Sequence, residues 1–152
     1  MISESIHIRK ATMADVDDLF RLEQVCFDAE SFSRRQINYL VSQAVGGFLV
    51  LIENEIIAGF LVFLKRKNSN GLRLYSLAIS PEFRGKNYAK LLLKKAVDIA
   101  KETQKSYLYL EVSENNPTAI KLYQKIGFQL SGKRKAYYKD GSTALLMRFL
   151  VR

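Results

Sequence analysis

Between Leu72 and Val112 the chain reads as strand, turn, helix and strand in direct succession, and this unit constrains the fold more than any other part of the sequence. Leu72 to Ser80 is an apolar, strand-like run. From about Gly85 to Thr103 the apolar positions Ala89, Leu92, Leu93, Ala96 and Ala100 recur at helical spacing, with Lys90, Lys94, Lys101 and Glu102 outside the stripe. Tyr107 to Val112 is again short and almost wholly apolar. A helix with one apolar stripe between two strands packs that stripe on a sheet, giving a β-α-β crossover.

The junction Arg84-Gly85-Lys86-Asn87-Tyr88-Ala89-Lys90 lies where the helix begins. The first N–H groups of a helix have no intrahelical acceptor, and the aligned peptide dipoles place about half a positive charge there. Anionic oxygens fit such a seat. Gly85 and Ala89 let a ligand approach the backbone, while Arg84, Lys86 and Lys90 add positive charge, as a pyrophosphate requires. A basic turn before a helix is also a common connection, so the run alone does not decide. Its order matches neither the phosphate-loop pattern nor G-x-G-x-x-G.

The remaining segments complete a mixed α/β order. Ile6 to Lys10 alternates as a strand; Thr12 with Asp15 caps a helix to about Phe27, and Ser33 with Gln36 caps a second to about Ala44. Phe48 to Glu53 and Ile56 to Leu64 flank Asn54-Glu55 as a hairpin, so the centre of the chain is an antiparallel meander. Asn116-Pro117 starts a further helix that stops at Gly127. Phe128 to Arg134 and Thr143 to Leu150 form the last strands. The order is β-α-α-β-β-β-α-β-α-β-β.

At 152 residues, 48% hydrophobic and 26% charged, the chain fits one domain over 1–152, without repeats or low-complexity tracts. No apolar run is long enough to span a bilayer, which places the protein in the cytoplasm as an expectation. A lone Cys26 among apolar helical neighbours reads as a small core residue, and one Cys with one His gives no zinc site. The net charge of +9 favours an anionic partner, whether cofactor phosphates, an acidic surface or RNA, without choosing among them. Its dense spots, Lys65-Arg66-Lys67 and Gly132-Lys133-Arg134-Lys135, also read as solvated faces.

Two residues invite a chemical role. Glu111 interrupts the apolar run Leu108-Tyr109-Leu110-Glu111-Val112, and a buried carboxylate is costly unless paired or protonated. Desolvation pushes such a group towards neutrality, which suits a general base; the alternative is a strand-end Glu paired with a nearby Lys. Tyr123 shares a helical face with Ala119, Ile120 and Ile126, so it reads as core packing with a hydroxyl at the rim. It also reads as a general acid, since a phenol of pKa about 10 held in contact with a leaving thiolate, whose thiol has a pKa of about 8.5, can give it a proton.

The junction at 84–89 resembles the Q/R-x-x-G-x-G/A signature of the GNAT acyl-CoA N-acyltransferases. Asn87 stands at a usual Gly position and, of the non-Gly residues, best tolerates a left-handed backbone. The stretch Glu111-Val-Ser-Glu-Asn-Asn116-Pro-Thr-Ala-Ile-Lys-Leu-Tyr123-Gln-Lys-Ile-Gly127-Phe128 is similar to the matching stretch of the ribosomal-protein N-terminal acetyltransferases in that family. The similarity continues through Tyr137-Tyr138-Lys139-Asp140-Gly141, Ala144 and Met147, and so covers most of the chain from Leu74 onwards. Cys26-Phe27 to Phe32-Ser33 looks like the substrate-side helix start, with Phe32 in a usual Trp place; Ser142-Thr143 departs from an acidic Asp.

The resemblance implies the GNAT fold and acetyl-CoA as co-substrate, with no metal. It implies Glu111 as base, Tyr123 as acid, a coenzyme contact from Asn116, and a pyrophosphate seat at Arg84, Gly85, Lys86, Asn87, Tyr88, Ala89 and Lys90. Pantetheine would insert between the fourth and fifth strands against backbone groups of Leu77, Ala78 and Ile79. Phe32, Tyr137 and Tyr138 would line the acceptor pocket. The implied acceptor is a protein or peptide N-terminal amine. A polyamine or amino sugar and, from a different class, a non-catalytic RNA- or ribosome-binding module remain open. Whether the chain acts as a monomer or homodimer stays undecided.

Overall fold

The computed structural model describes residues 5–27, 31–42, 46–65 and 68–151. Strand β1 (Ile6–Lys10) leads through a single 3-10 turn into helix α1 (Val16–Phe27), followed by α2 (Arg34–Ser42). The Asp15 carboxylate accepts the Thr12 N–H at 2.7 Å and pairs with Arg9 at 2.8 Å, so the expected capping signal organises the turn rather than α1 itself. At α2 the capping box is reciprocal: the Ser33 N–H donates to Gln36 Oε1 at 2.8 Å, and the Gln36 N–H donates to Ser33 Oγ at 3.1 Å. The expected end of α2 near Ala44, and Arg66 and Lys67 of the basic spot, lie outside the described residues.

The expected meander is β2 (Gly46–Glu53), β3 (Ile56–Lys65) and β4 (Gly71–Ile79), with Asn54 and Glu55 at φ 50° and 70° in the tight turn between the first two. Helix α3 (Tyr88–Glu102), strand β5 (Tyr107–Ser113), helix α4 (Pro117–Ile126) and strands β6 (Gln129–Arg134) and β7 (Ala144–Leu150) follow. The seven strands form one sheet in the order β1-β2-β3-β4-β5-β7-β6. Only β4 and β5 pair in parallel, as the α3 crossover requires; the other pairs are antiparallel.

Alternation along the strands divides the interior into two cores. Leu61 and Phe63 of β3, Leu72 and Leu74 of β4, and Leu108 and Leu110 of β5 pack with Leu92, Leu93 and Ala96 of α3. On the opposite face Phe60 and Val62 of β3 and Ala78 of β4 pack with Leu19 and Leu22 of α1 and Ile37 of α2. Leu92 and Leu93 are fully buried, each contributing about 1.5–3 kcal/mol by transfer from water. Residues of α4, including Ala119 and Tyr123, join the first core. The sheet therefore separates an α3/α4 side from an α1/α2 side.

Candidate functional site

The two sides meet where the sheet opens. β4 and β5 pair only from Gly71–Tyr107 to Leu74–Leu110, although β4 continues to Ile79 and β5 to Ser113. Beyond Leu74, β4 stays bonded to β3, while β5 stays bonded to β7 as far as Ser113–Ala144. Each strand is held by its outer neighbour, and their inner edges part. A cavity of about 870 Å³ lies at the parting, lined from one side by Glu23, Phe27 and Phe32 and from the other by Asn116, Ala119 and Tyr123. Leu77, Glu111, Tyr137 and Tyr138 line it as well, so the structure brings together residues expected to serve coenzyme, acceptor and proton transfer.

Glu111 is both buried and paired. Its side chain is 8% exposed, and Oε1 lies 3.0 Å from the guanidinium of Arg73 on β4. The partner is an Arg on the neighbouring strand, just before the splay, where the sequence reading had weighed a Lys. Tyr123 lies edge-on to Phe128, with ring centroids 5.6 Å apart. Burial, with a smaller contribution from Tyr138, pushes its hydroxyl up to about 12, above the ordinary phenol value assumed from the sequence, because a phenolate is poorly solvated there. At neutral pH the group is a fully protonated donor.

The expected pyrophosphate seat lies past the end of β4. α3 starts at Tyr88, not at Gly85, because Gly85 and Asn87 take φ of 87° and 64° and break the helical path. A Cβ at Gly85 would meet nothing within 4 Å, so the backbone there is open to a ligand. The first helical bond runs from the Leu91 N–H to Asn87 O, leaving the Ala89 and Lys90 N–H groups ahead of it. Three of the side chains here have protein partners. Lys86 pairs with the buried Glu53 at 3.0 Å, and the Tyr88 hydroxyl also contacts Glu53 from a buried position. Arg84 Nε donates to Ile79 O at 3.1 Å. Arg84, Lys86 and Lys90 all remain exposed beside the open backbone at Gly85. The Ala78 side chain is buried under α1 and α2, so any contact it makes at the splay is through its backbone, as in the sequence reading.

Asn116 caps α4 through Oδ1, which accepts the Ala119 N–H at 3.1 Å, keeping its Nδ2 donor for another partner. Across the cavity Tyr137 and Tyr138 meet at right angles, with centroids 5.0 Å apart, on a loop whose Tyr137 and Tyr138 N–H groups both donate to Ser142 O. Phe32 stacks obliquely on Tyr75 at 5.4 Å. The N–H of Phe32 donates to Glu23 Oε1 at 2.8 Å, tying α1 to the start of α2.

Glu23 and Arg73 escaped the sequence reading. Both carried a signal, a charge inside an apolar pattern: Glu23 follows Leu19 and Leu22 on the buried face of α1, and Arg73 lies between Leu72 and Leu74. Glu23 is 1% exposed; burial pushes its carboxyl up to about 7, opposed by the hydrogen bonds from Phe32 and Ser76. Cys26 is half-buried at the cavity wall rather than inside the core. Burial raises its thiol against the pull of Arg84, so it is held as a thiol. Among the described residues no group of three His, Cys, Asp or Glu is placed to hold a metal, and no helix is long and apolar enough to cross a membrane.

Residues 13–128 match the model of the acetyltransferase (GNAT) family. The chain belongs to the GNAT acetyltransferase family. It is 30% identical over 142 residues, 92% of each chain, to a Bacillus subtilis protein named a putative [ribosomal protein bS18]-alanine N-acetyltransferase. Ard1 from Thermoplasma volcanium superposes with a TM-score of 0.89 at 25% identity, covering 97% of this chain and 98% of that one. The ribosomal-protein-S18-alanine N-acetyltransferase from Escherichia coli shares the fold, with a TM-score of 0.86 at 23% identity over 97% and 94% of the two chains. The GNAT fold and acetyltransferase class expected from the sequence are thereby established. A GNAT acyl-CoA substrate fits the residues present: an open strand edge for an extended amide chain, and first-turn N–H groups beside an unobstructed Gly85 for phosphates.

Proposed function

We propose that the protein transfers acetyl from acetyl-CoA directly to the N-terminal α-amine of a protein or peptide, as one catalytic domain in the cytoplasm. The observation that carries this reading is the convergence of Glu111 and Tyr123 on one cavity at the splay of β4 and β5. Acetyl-CoA is a substrate here, held by the backbone of Leu77 and Ile79, by Asn116 and by the first turn of α3. The acceptor approaches from the α1/α2 side, between Phe32 and the Tyr137–Tyr138 pair.

The amine nitrogen attacks the thioester carbonyl carbon as a neutral nucleophile. Glu111, paired with Arg73, takes a proton from the nitrogen through water; the carbon–sulfur bond breaks, and the departing thiolate takes the Tyr123 proton. Solvent returns the proton from Glu111 to Tyr123, leaving the acetamide and CoA thiol. Direct transfer in a ternary complex gains its rate chiefly from holding the two substrates in reacting geometry.

The N-terminal acceptor is favoured by a cavity walled with aromatic rings on both flanks, which suits an extended polypeptide, and by the name of the Bacillus subtilis relative. The test is thiol release with acetyl-CoA and a panel of free N-terminal peptides against spermidine and glucosamine, with products located by mass spectrometry. An acetyl group on the peptide α-amine supports the reading. Turnover confined to spermidine or glucosamine overturns it and selects the small-molecule acceptor.

A further inference from the structure

The Glu111–Arg73 pair is incompletely satisfied. Glu111 Oε1 faces the guanidinium at 3.0 Å, yet Glu111 Oε2 and Arg73 Nε are both buried without a hydrogen-bond partner. Buried polar atoms in native proteins are nearly always paired, and an orphan donor and an orphan acceptor on one ion pair call for an explanation. Arg73 carries five N–H donors and, among the described residues, shows one polar partner, Glu111; its guanidinium otherwise lies over the Tyr75 ring, 5.0 Å from the centroid.

Register explains the placement. Arg73 pairs with Tyr109, so Arg73 and Tyr75 on β4 share a sheet face with Tyr109 and Glu111 on β5. The leucines at 72, 74, 108 and 110 fill the opposite core. Arg73 thus stands at the last turn of the pleat before the splay and lines the same cavity as Glu111, Phe32, Tyr75 and Tyr138. Its side chain keeps 18% exposure, against 8% for Glu111.

We infer that Arg73 is an acceptor-binding residue that hydrogen-bonds the first carbonyl oxygen of the acceptor while Glu111 holds the amine through one water, so that the pair reads an α-aminoacyl terminus. This rests on the N-terminal amine reading above and deepens it. In such a terminus the amine nitrogen and the carbonyl oxygen are separated only by the α-carbon and the carbonyl carbon, matching an acceptor and a donor held side by side. A polyamine offers no oxygen there and sets a second ammonium against the guanidinium, a like-charge contact that rejects it. If Arg73 served only to neutralise Glu111, its loss would harm every acceptor alike.

The deciding measurement is kcat/KM for acetyl transfer to Ala-Ala-Ala-Ala amide and to its analogue with an (E)-alkene in place of the first peptide bond. The wild-type protein is compared with Arg73→Met, and with Arg73→Lys should the first variant lose its circular dichroism. The wild type should prefer the peptide by about tenfold or more, the worth of one hydrogen bond to a charged group, and Arg73→Met should shrink that preference to about threefold or less. Equal use of both acceptors by the wild type overturns the inference while leaving amine acetylation intact. So does an Arg73→Met protein that slows on both in the same ratio. A wild type that acetylates spermidine and neither of these acceptors overturns the N-terminal reading, and the inference with it.

Discussion

Leu74 and Leu110 are the last residues at which β4 and β5 pair, and the next residue of β5 is Glu111. The opening of the sheet and the charged side chain therefore coincide. Upstream, the parallel ladder closes the sheet over the α3 core. Downstream, the inner edge of β4 is free of β5, and the faces that α1 and α4 cover come into contact through one cavity. A GNAT acetyltransferase needs that passage, because its two substrates must meet at one carbon atom.

Replacing Glu111 with Gln keeps the shape and removes the proton acceptor. Turnover should fall about 100-fold or more, within the usual contribution of a general base, while acetyl-CoA affinity by calorimetry stays within about threefold. A variant with full turnover would remove Glu111 from the mechanism.

Tyr123→Phe retains the edge contact with Phe128 and loses only the hydroxyl. With that hydroxyl pushed up to about 12, the wild-type group stays protonated through the whole neutral range. The variant should therefore lose about 100-fold in kcat uniformly between pH 6 and 9, with no shift of the pH profile. A profile whose shape changes in that range would show that Tyr123 titrates during turnover.

Asn87 holds φ 64° as the residue before α3. Asn87→Ala should cost about 1–2 kcal/mol of stability, the penalty of a Cβ in a left-handed conformation without a local polar side chain. Asn87→Gly should be nearly neutral and should leave the acetyl-CoA dissociation constant within about threefold. Chemical denaturation and calorimetry on the two variants check both statements, and a large loss of binding in Asn87→Gly would give the Asn side chain a role in the seat.

Glu23 gives a pH signature. Its folded carboxyl is raised to about 7 by burial, above the ordinary value near 4.5, so the folded state binds more protons between those limits. Stability from this group is therefore greatest below about 4.5 and declines as pH rises towards 7. Glu23→Gln removes the titration, so its melting temperature relative to wild type should rise from pH 5 to pH 7.5. A difference independent of pH would show that folding does not raise the Glu23 carboxyl.

The sequence by itself determined the element order, because each segment carries its own signal: short apolar runs bounded by turn residues for the strands, stripes such as Leu92, Leu93 and Ala96 for the helices, and caps at Ser33 and Asn116. It also marked Glu111, since a charge inside an apolar strand stands out locally, and the resemblance marked Tyr123. It did not place β7 between β5 and β6, nor choose Arg73 as the partner of Glu111, nor turn Lys86 towards Glu53. Those outcomes depend on which distant strands become neighbours. Strand pairing is decided by the burial of whole faces at once, while the charge on a single residue is visible without it. Only the tertiary structure decided that β4 and β5 part beside Glu111, because each is bound more extensively by its outer neighbour than by the other.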